Sequence, residues 1–204
     1  MPPDFPELPA FGEALPIRPS PETLAFLGRR RSASALTLRA PGPTEEELGR
    51  LLTLAVRVPD HGKLAPWRFI VLRGEGKAAF VERLEEIAAA RPDCVKAIAK
   101  LGKIRVPPLT VAVVSRYVEG DIPMWEQRLS AGAVCTLMIL AAQAIGYGVN
   151  WITDWYAYDE DAQRMLGLAA GEKVAGFVHI GTPAEPPLER ARPGVKAITT
   201  LWKA

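Results

Sequence analysis

Histidine is nearly missing from this 204-residue chain: His61 and His179 are the only two, and Cys94 and Cys135 are the only cysteines. With no C-x-x-C pair and no H-E-x-x-H run, the ligands of a structural zinc site or a zinc hydrolase are not there, and no metal site is expected. Two thiols are too few for a disulfide scaffold and suit a reducing, cytoplasmic setting. No G-x-S-x-G occurs, so a hydrolase with a nucleophile elbow is unsupported. Excess charge of one sign is lacking as well, since 25 Lys and Arg stand against 23 Asp and Glu, a net charge of +2. Nucleic acid is therefore not the default partner, and any anion site has to be local. The N-terminus carries Asp4, Glu7 and Glu13 among prolines and lacks the basic and apolar regions of a secretory signal. Residues 129–153 contain no charged side chain and are long enough to span a bilayer. However, Ser130, Gly132, Thr136, Gln143, Gly146 and Gly148 interrupt the run, and its end reads as a strand. A helix buried on all sides, or shared between subunits, explains the composition without a membrane.

What the chain does have is the material of one folded domain. Hydrophobic residues make up 49%, too apolar for a disordered chain, and the length suits a single core. Seven of the nineteen prolines lie in the first 21 residues, so residues 1–19 read as an extended arm and residues 20–204 as one domain. Ser20 and Pro21 start a helix that ends in Arg29, Arg30 and Arg31. Thr44 and Glu47 form a capping box ahead of Leu48, Leu51, Leu52 and Ala55, in a helix that should stop before Pro59. Strands are expected at 67–72, 109–114, 149–153 and 174–180. Helices are expected after a turn at 74–76, after Pro92, over 122–145 and after Asp159. Strands separated by helices predict an α/β or α+β sandwich around a central sheet.

Gly74, Gly76 and Ala79 satisfy G-x-G-x-x-A between a strand and a helix, but the second strand with its acidic ribose ligand is absent, because no strand is expected before Leu109. His179, between Val178 and Ile180, reads as a hydrogen-bonded structural histidine. Arg29, Arg30, Arg31, Ser32 and Ser34 concentrate guanidinium and hydroxyl donors at a helix end. That cluster can hold a phosphate, or it can complement the helix dipole and face solvent. A second polar cluster, Arg57, Asp60, His61 and Lys63, runs into Pro66, Trp67 and Arg68.

In this order, residues 30–32, residues 57–61 (Arg-Val-Pro-Asp-His) and residues 66–69 (Pro-Trp-Arg-Phe) resemble the FMN-dependent nitroreductase family, in its compact YdjA-like branch. Trp125-Glu126-Gln127, Ser130-Ala131-Gly132, Gly146-Tyr147-Gly148, Trp151, Gly176-Phe177 and Gly181-Thr182-Pro183 continue the resemblance, which covers residues 20–184. It implies an α+β fold: a three-layer, nitroreductase-like sandwich with a central, mostly antiparallel sheet flanked by helices. It also implies a homodimer with FMN at the subunit interface and NAD(P)H as co-substrate. By matched position, Arg30, Arg31 and Ser32 would hold the FMN phosphate, Trp151, Ile152 and Thr153 would pass the flavin ring, and Arg57 and His61 would reach it from the neighbouring subunit. The implied activity is ping-pong hydride transfer from NAD(P)H to a nitroaromatic, quinone or other electrophilic small molecule. Chemistry would lie on the flavin, with no catalytic side chain of the protein. The competing reading is a non-catalytic flavin-binding or flavin-sequestering protein. Where the wider family usually has Ser-Ser-x-Asn-x-Gln before the Pro-Trp pair, this chain has residues 60–65, Asp-His-Gly-Lys-Leu-Ala.

Overall fold

The computed structural model describes residues 5–203. In chain order the elements are α1 (Pro21–Arg29), β1 (Leu38–Arg39), α2 (Glu45–Ala55), β2 (Trp67–Arg73), α3 (Gly74–Ala89), α4 (Cys94–Lys100), α5 (Gly102–Arg105), β3 (Leu109–Ser115), α6 (Met124–Ala144), β4 (Gly148–Ile152), α7 (Glu160–Met165) and β5 (Lys173–Pro183). The capped starts form where the side chains dictate. The Ser20 hydroxyl accepts the Thr23 N–H at the head of α1. Thr44 and Glu47 close a reciprocal capping box on α2. Asp159 accepts two N–H groups at the start of α7. Each such cap stabilises its helix by about 1 kcal/mol.

Every strand pairing is antiparallel, in the order β1-β5-β3-β2, with β4 also on β5. The pairing decides between the two fold classes that periodicity left open, in favour of α+β. β3 is buried along almost its whole length because helices cover both faces. Leu109, Val111 and Val113 point into a core with α2 and α6, including Leu51, Val134 and Met138. Ala112 points the other way, toward α3, α4, α5 and α7, with Leu84, Ile104, Tyr156 and Phe177. The result is a three-layer sandwich, in which full burial of each large aliphatic side chain contributes about 1.5–3 kcal/mol.

Several details depart from the sequence reading. No separate turn precedes α3, because the helix begins at Gly74 itself, which enters it at φ +54°. β4 ends at Ile152, so Thr153 lies beyond the strand. The two-residue β1, too short to show periodicity, was not foreseen. In the expected arm, residues 1–4 lie outside the described residues. Phe5 packs against the first core, and the Arg50 guanidinium sits 5.3 Å from its ring centroid. α6 is not buried on all sides within one chain, since Trp125, Leu129 and Thr136 are exposed on a continuous stripe of its surface. Among the described residues no helix is long and apolar enough to cross a membrane. Cys94 and Cys135 are unpaired, and burial pushes the Cys135 thiol up to about 12.

Candidate functional site

The arginine-rich corner follows directly from the end of α1. Arg30 is the C-cap, its N–H donating to the Leu27 carbonyl, and the chain then leaves the helix in extended conformation. The stretch after it is held from two sides. The Gln143 amide at the end of α6 donates to the Arg31 carbonyl. The Ala33 N–H donates to the Val149 carbonyl of β4 at 3.0 Å, and the Asn150 amide donates to the Ala33 carbonyl. The segment that follows α1 is thereby joined to β4 at Val149 and Asn150, directly before Trp151. The side chains of Arg30 and Ser32 have no protein partner among the described residues. Arg31 donates from Nε to the Leu188 carbonyl (2.8 Å) and lies 3.8 Å from the Glu189 carboxylate. A cavity of about 450 Å³ opens here, lined by Arg31, Ser32, Ser34, Thr37, Glu185 and Leu188. The Arg31 guanidinium and the Ser32 and Ser34 hydroxyls on this open cavity form a donor set suited to a phosphate monoester, and Arg30 stands outside its lining. The exposed Glu189 carboxylate is a weak competitor, because a surface ion pair is worth about 0–1 kcal/mol.

At the other end of this edge, the Trp151 ring lies over Gly176 so closely that a Cβ there would fall inside the indole. Its Nε1 donates to the Ala175 carbonyl at 3.3 Å. The β3–β5 register shifts between Val113 and Val114, because Val113 pairs with Gly176 while Val114 pairs with Val174. Ala175 is therefore the extra residue of a bulge, and bulge and glycine together make the seat for the indole. Thr153 accepts the Tyr158 hydroxyl (3.0 Å). Asp154 then anchors the chain: it is buried, accepts the Trp155 N–H, and meets Lys103 at 3.0 Å and Lys100 at 3.2 Å. Burial raises its pKa, but the Trp155 N–H and the two ammonium groups outweigh burial and hold it below the ordinary carboxylate value.

Arg57 and His61 stand elsewhere. The loop that carries them is built on Asp60, whose carboxylate accepts the N–H groups of Leu64 (3.2 Å) and Ala65 (2.8 Å). Gly62, Lys63 and Ala65 all have positive φ, a conformation that for the two non-glycine residues stores about 1–3 kcal/mol each. His61 Nδ1 lies 2.7 Å from Glu126, and the Ser130 hydroxyl donates to the Pro59 carbonyl, so the loop is seated on the first turns of α6. The arginine-rich corner is seated on Gln143 at the opposite end of that helix. At 1.5 Å rise per residue, the two anchor points are about 25 Å apart along one chain. One chain therefore joins the segment after α1 to β4 just before residues 151–153 and seats the loop of Arg57 and His61 at the opposite end of α6.

The chain is similar to known proteins. The sequence model of the nitroreductase family matches residues 27–182. The chain belongs to the nitroreductase family. YdjA of Escherichia coli K12, provisionally named an NAD(P)H nitroreductase, is 37% identical over 164 residues, 79% of this chain and 88% of that protein. Among solved structures, a nitroreductase-like family protein from Bacillus cereus superposes with a TM-score of 0.79 at 21% identity, covering 94% of this chain and all of that one. A Bacteroides fragilis nitroreductase with bound FMN superposes with a TM-score of 0.68 at 20% identity, covering 90% of this chain and all of that one.

Within this nitroreductase fold, three residues that position the edge were not singled out from the sequence, Asn150, Asp154 and Ala175, while Gly176 entered only as part of the family resemblance. Gln143 was noted only as a break in the uncharged run. A polar amide in such a run was a usable signal, because a half-buried amide needs a partner. The bulge at Ala175 left no local trace. His179 takes its expected structural place, fully buried with Nδ1 2.8 Å from Thr110 Oγ1 and its ring stacked with Phe177.

Proposed function

We propose that this chain is an FMN-dependent NAD(P)H oxidoreductase of the nitroreductase type, working as a cytoplasmic homodimer on a nitroaromatic, quinone or other electrophilic acceptor. The observation that carries this reading is the attachment of the arginine-rich segment to β4 through Ala33, Val149 and Asn150, next to an open cavity lined by Arg31 and Ser32. The similarity to a protein named as an NAD(P)H nitroreductase, and to a fold solved with FMN, supports the choice of cofactor and co-substrate. When bound, FMN supplies the hydride-accepting and hydride-donating chemistry.

The protein's part is to bind, orient and bias. Arg30, Arg31 and Ser32 would grip the phosphate, while Trp151, Ile152 and Thr153 would border the ring. Arg57 adds a positive charge and His61 a ring nitrogen able to hydrogen-bond, which favour electron-rich partners near them. Because they sit about 25 Å from the arginine-rich corner along α6, they serve the same cofactor only if they come from a second copy whose α6 runs antiparallel. The surface suits that arrangement. The stripe of Trp125, Leu129 and Thr136 is exposed and uncharged, and α1 buries no residue of its own, leaving Leu24 and Leu27 exposed. No side chain is needed as a nucleophile. If both substrates approach one open flavin face in turn, ping-pong kinetics follow.

The deciding experiment is anaerobic addition of NADH or NADPH to the FMN-loaded protein. Bleaching followed by reoxidation with an acceptor supports turnover, and tight FMN that neither nucleotide bleaches would leave the flavin-sequestering reading. Arg30→Ala should weaken FMN binding about tenfold to a hundredfold, the cost of one charge-assisted phosphate contact. An unchanged FMN titration removes Arg30 from the site. Dilution should release FMN as the dimer separates, and a folded monomer that keeps tight FMN contradicts the interfacial arrangement.

A further inference from the structure

Beside Trp151 lies a second cleft, of about 330 Å³, framed by the loop between β3 and α6, the first half of α6, and the β5 bulge. Its walls combine two features that seldom occur together without a ligand. Tyr117, Met124 and Trp151 present apolar surface that is about 40% exposed in each case. Arg128 and Lys173 line the same space, and neither side chain has an ion-pair or hydrogen-bond partner among the described residues. The carboxylates nearest in sequence are committed elsewhere: Glu126 to His61 at 2.7 Å, and Glu172 to Arg68 through contacts of 2.6 and 2.8 Å. The cleft is also held in shape. Gln127, 3% exposed, accepts the Val118 N–H and donates to the carbonyls of Val118 and Ile122, pinning the loop that carries Tyr117 onto the head of α6.

We propose that this cleft selects acceptors that combine a flat aromatic body with an anionic group, the ring lying against Trp151, Tyr117 and Met124 and the anion between Arg128 and Lys173. The proposal rests on the oxidoreductase reading and deepens it by naming the acceptor class. The volume is at the small end for ligand sites and matches one or two rings rather than a dinucleotide, so the cations are assigned to the acceptor and not to NAD(P)H. Aromatic faces add attraction for a flat ring, and a guanidinium pairs with a carboxylate through two N–H donors.

The test compares 4-nitrobenzoate with neutral 4-nitrobenzamide. The FMN-loaded enzyme should show a kcat/KM about tenfold higher for the carboxylate, and the double variant R128Q/K173Q should abolish the preference while leaving the KM for NADH and NADPH and the affinity for FMN unchanged. Calorimetric binding of 4-nitrobenzoate to the flavin-free protein, lost in R128Q/K173Q, supplies a readout that needs no turnover. Equal kcat/KM for the two acceptors overturns the proposal. So does a double variant whose defect lies in the KM for NADPH alone, which would move the cations to the nucleotide. If FMN fails to bind or to be reduced, the oxidoreductase reading falls, and calorimetry on the bare chain still decides whether the cleft takes an aromatic anion.

Discussion

Acidification from pH 6.5 toward pH 3 should destabilise the protein steeply, by about 1.4 kcal/mol per pH unit from His179 alone. The imidazole is completely buried, and burial, reinforced by the ammonium groups of Lys77 on α3 and Lys103 on α5, lowers its pKa from 6.5 to about 3. Above pH 6.5 the ring is neutral in both states and contributes no pH dependence. Between 6.5 and 3 the unfolded chain binds a proton that the folded chain refuses, so unfolding becomes easier as the pH falls. Across that interval the loss is on the order of 4 kcal/mol, a large part of a typical domain stability. Urea unfolding at pH 7, 5.5 and 4.5 measures it. His179→Asn keeps a side-chain group near the position of Nδ1, within reach of Thr110 Oγ1, but cannot titrate, so its stability should fall less steeply with acid. Asp154 and Glu172, both held below the ordinary carboxylate range, add their own losses at lower pH in both proteins. The comparison therefore isolates the histidine, and equal slopes would show that its proton is not excluded.

Replacing Asp154 by alanine should cost about 3 kcal/mol, combining the loss of a cap with the separation of a buried charge from its partners. Lys100 and Lys103 are half-exposed and stay solvated when the carboxylate is removed, which keeps the cost below that of orphaning a fully buried cation. The position also links stability to the site. Asp154 follows Thr153, and its bonds to Trp155, Lys100 and Lys103 fix the exit of the chain from β4. FMN affinity should therefore fall along with the unfolding midpoint. Asp154→Asn retains an acceptor for the Trp155 N–H without the charge and should recover about 1 kcal/mol of the loss. A loss under about 0.5 kcal/mol in Asp154→Ala, the range of ordinary surface changes, would show that the lysine contacts do not hold the corner.

Much of this site could be read from the sequence because it rests on local chemistry. The N-caps at Ser20, Thr44 and Asp159 work within one helical turn, and β3 announces itself through an unbroken apolar run. Arg30, Arg31 and Ser32 are adjacent, so their joint capacity for a phosphate needs no long-range contact. The edge proposed to receive the flavin depends on residues whose partners are remote. Asn150 and Gln143 matter because of the backbone carbonyls of Ala33 and Arg31, more than a hundred positions away. The seat of Trp151 needs a bulge at Ala175, which exists only relative to the facing strand β3.

The sequence by itself determined the longer helices and strands, the uncharged run from residue 129 that fills most of α6, and the guanidinium corner, since spacing and capping act over a few residues. Only the tertiary structure decided that all strands pair antiparallel, that the corner is joined to β4 through Val149 and Asn150, and that Arg57 and His61 stand at the far end of α6. The reason is physical: strand order and bulges arise from hydrogen bonds between distant segments, and burial of a particular face is decided by what packs against it. A single string carries the side chains that can make those contacts but not which of them are made.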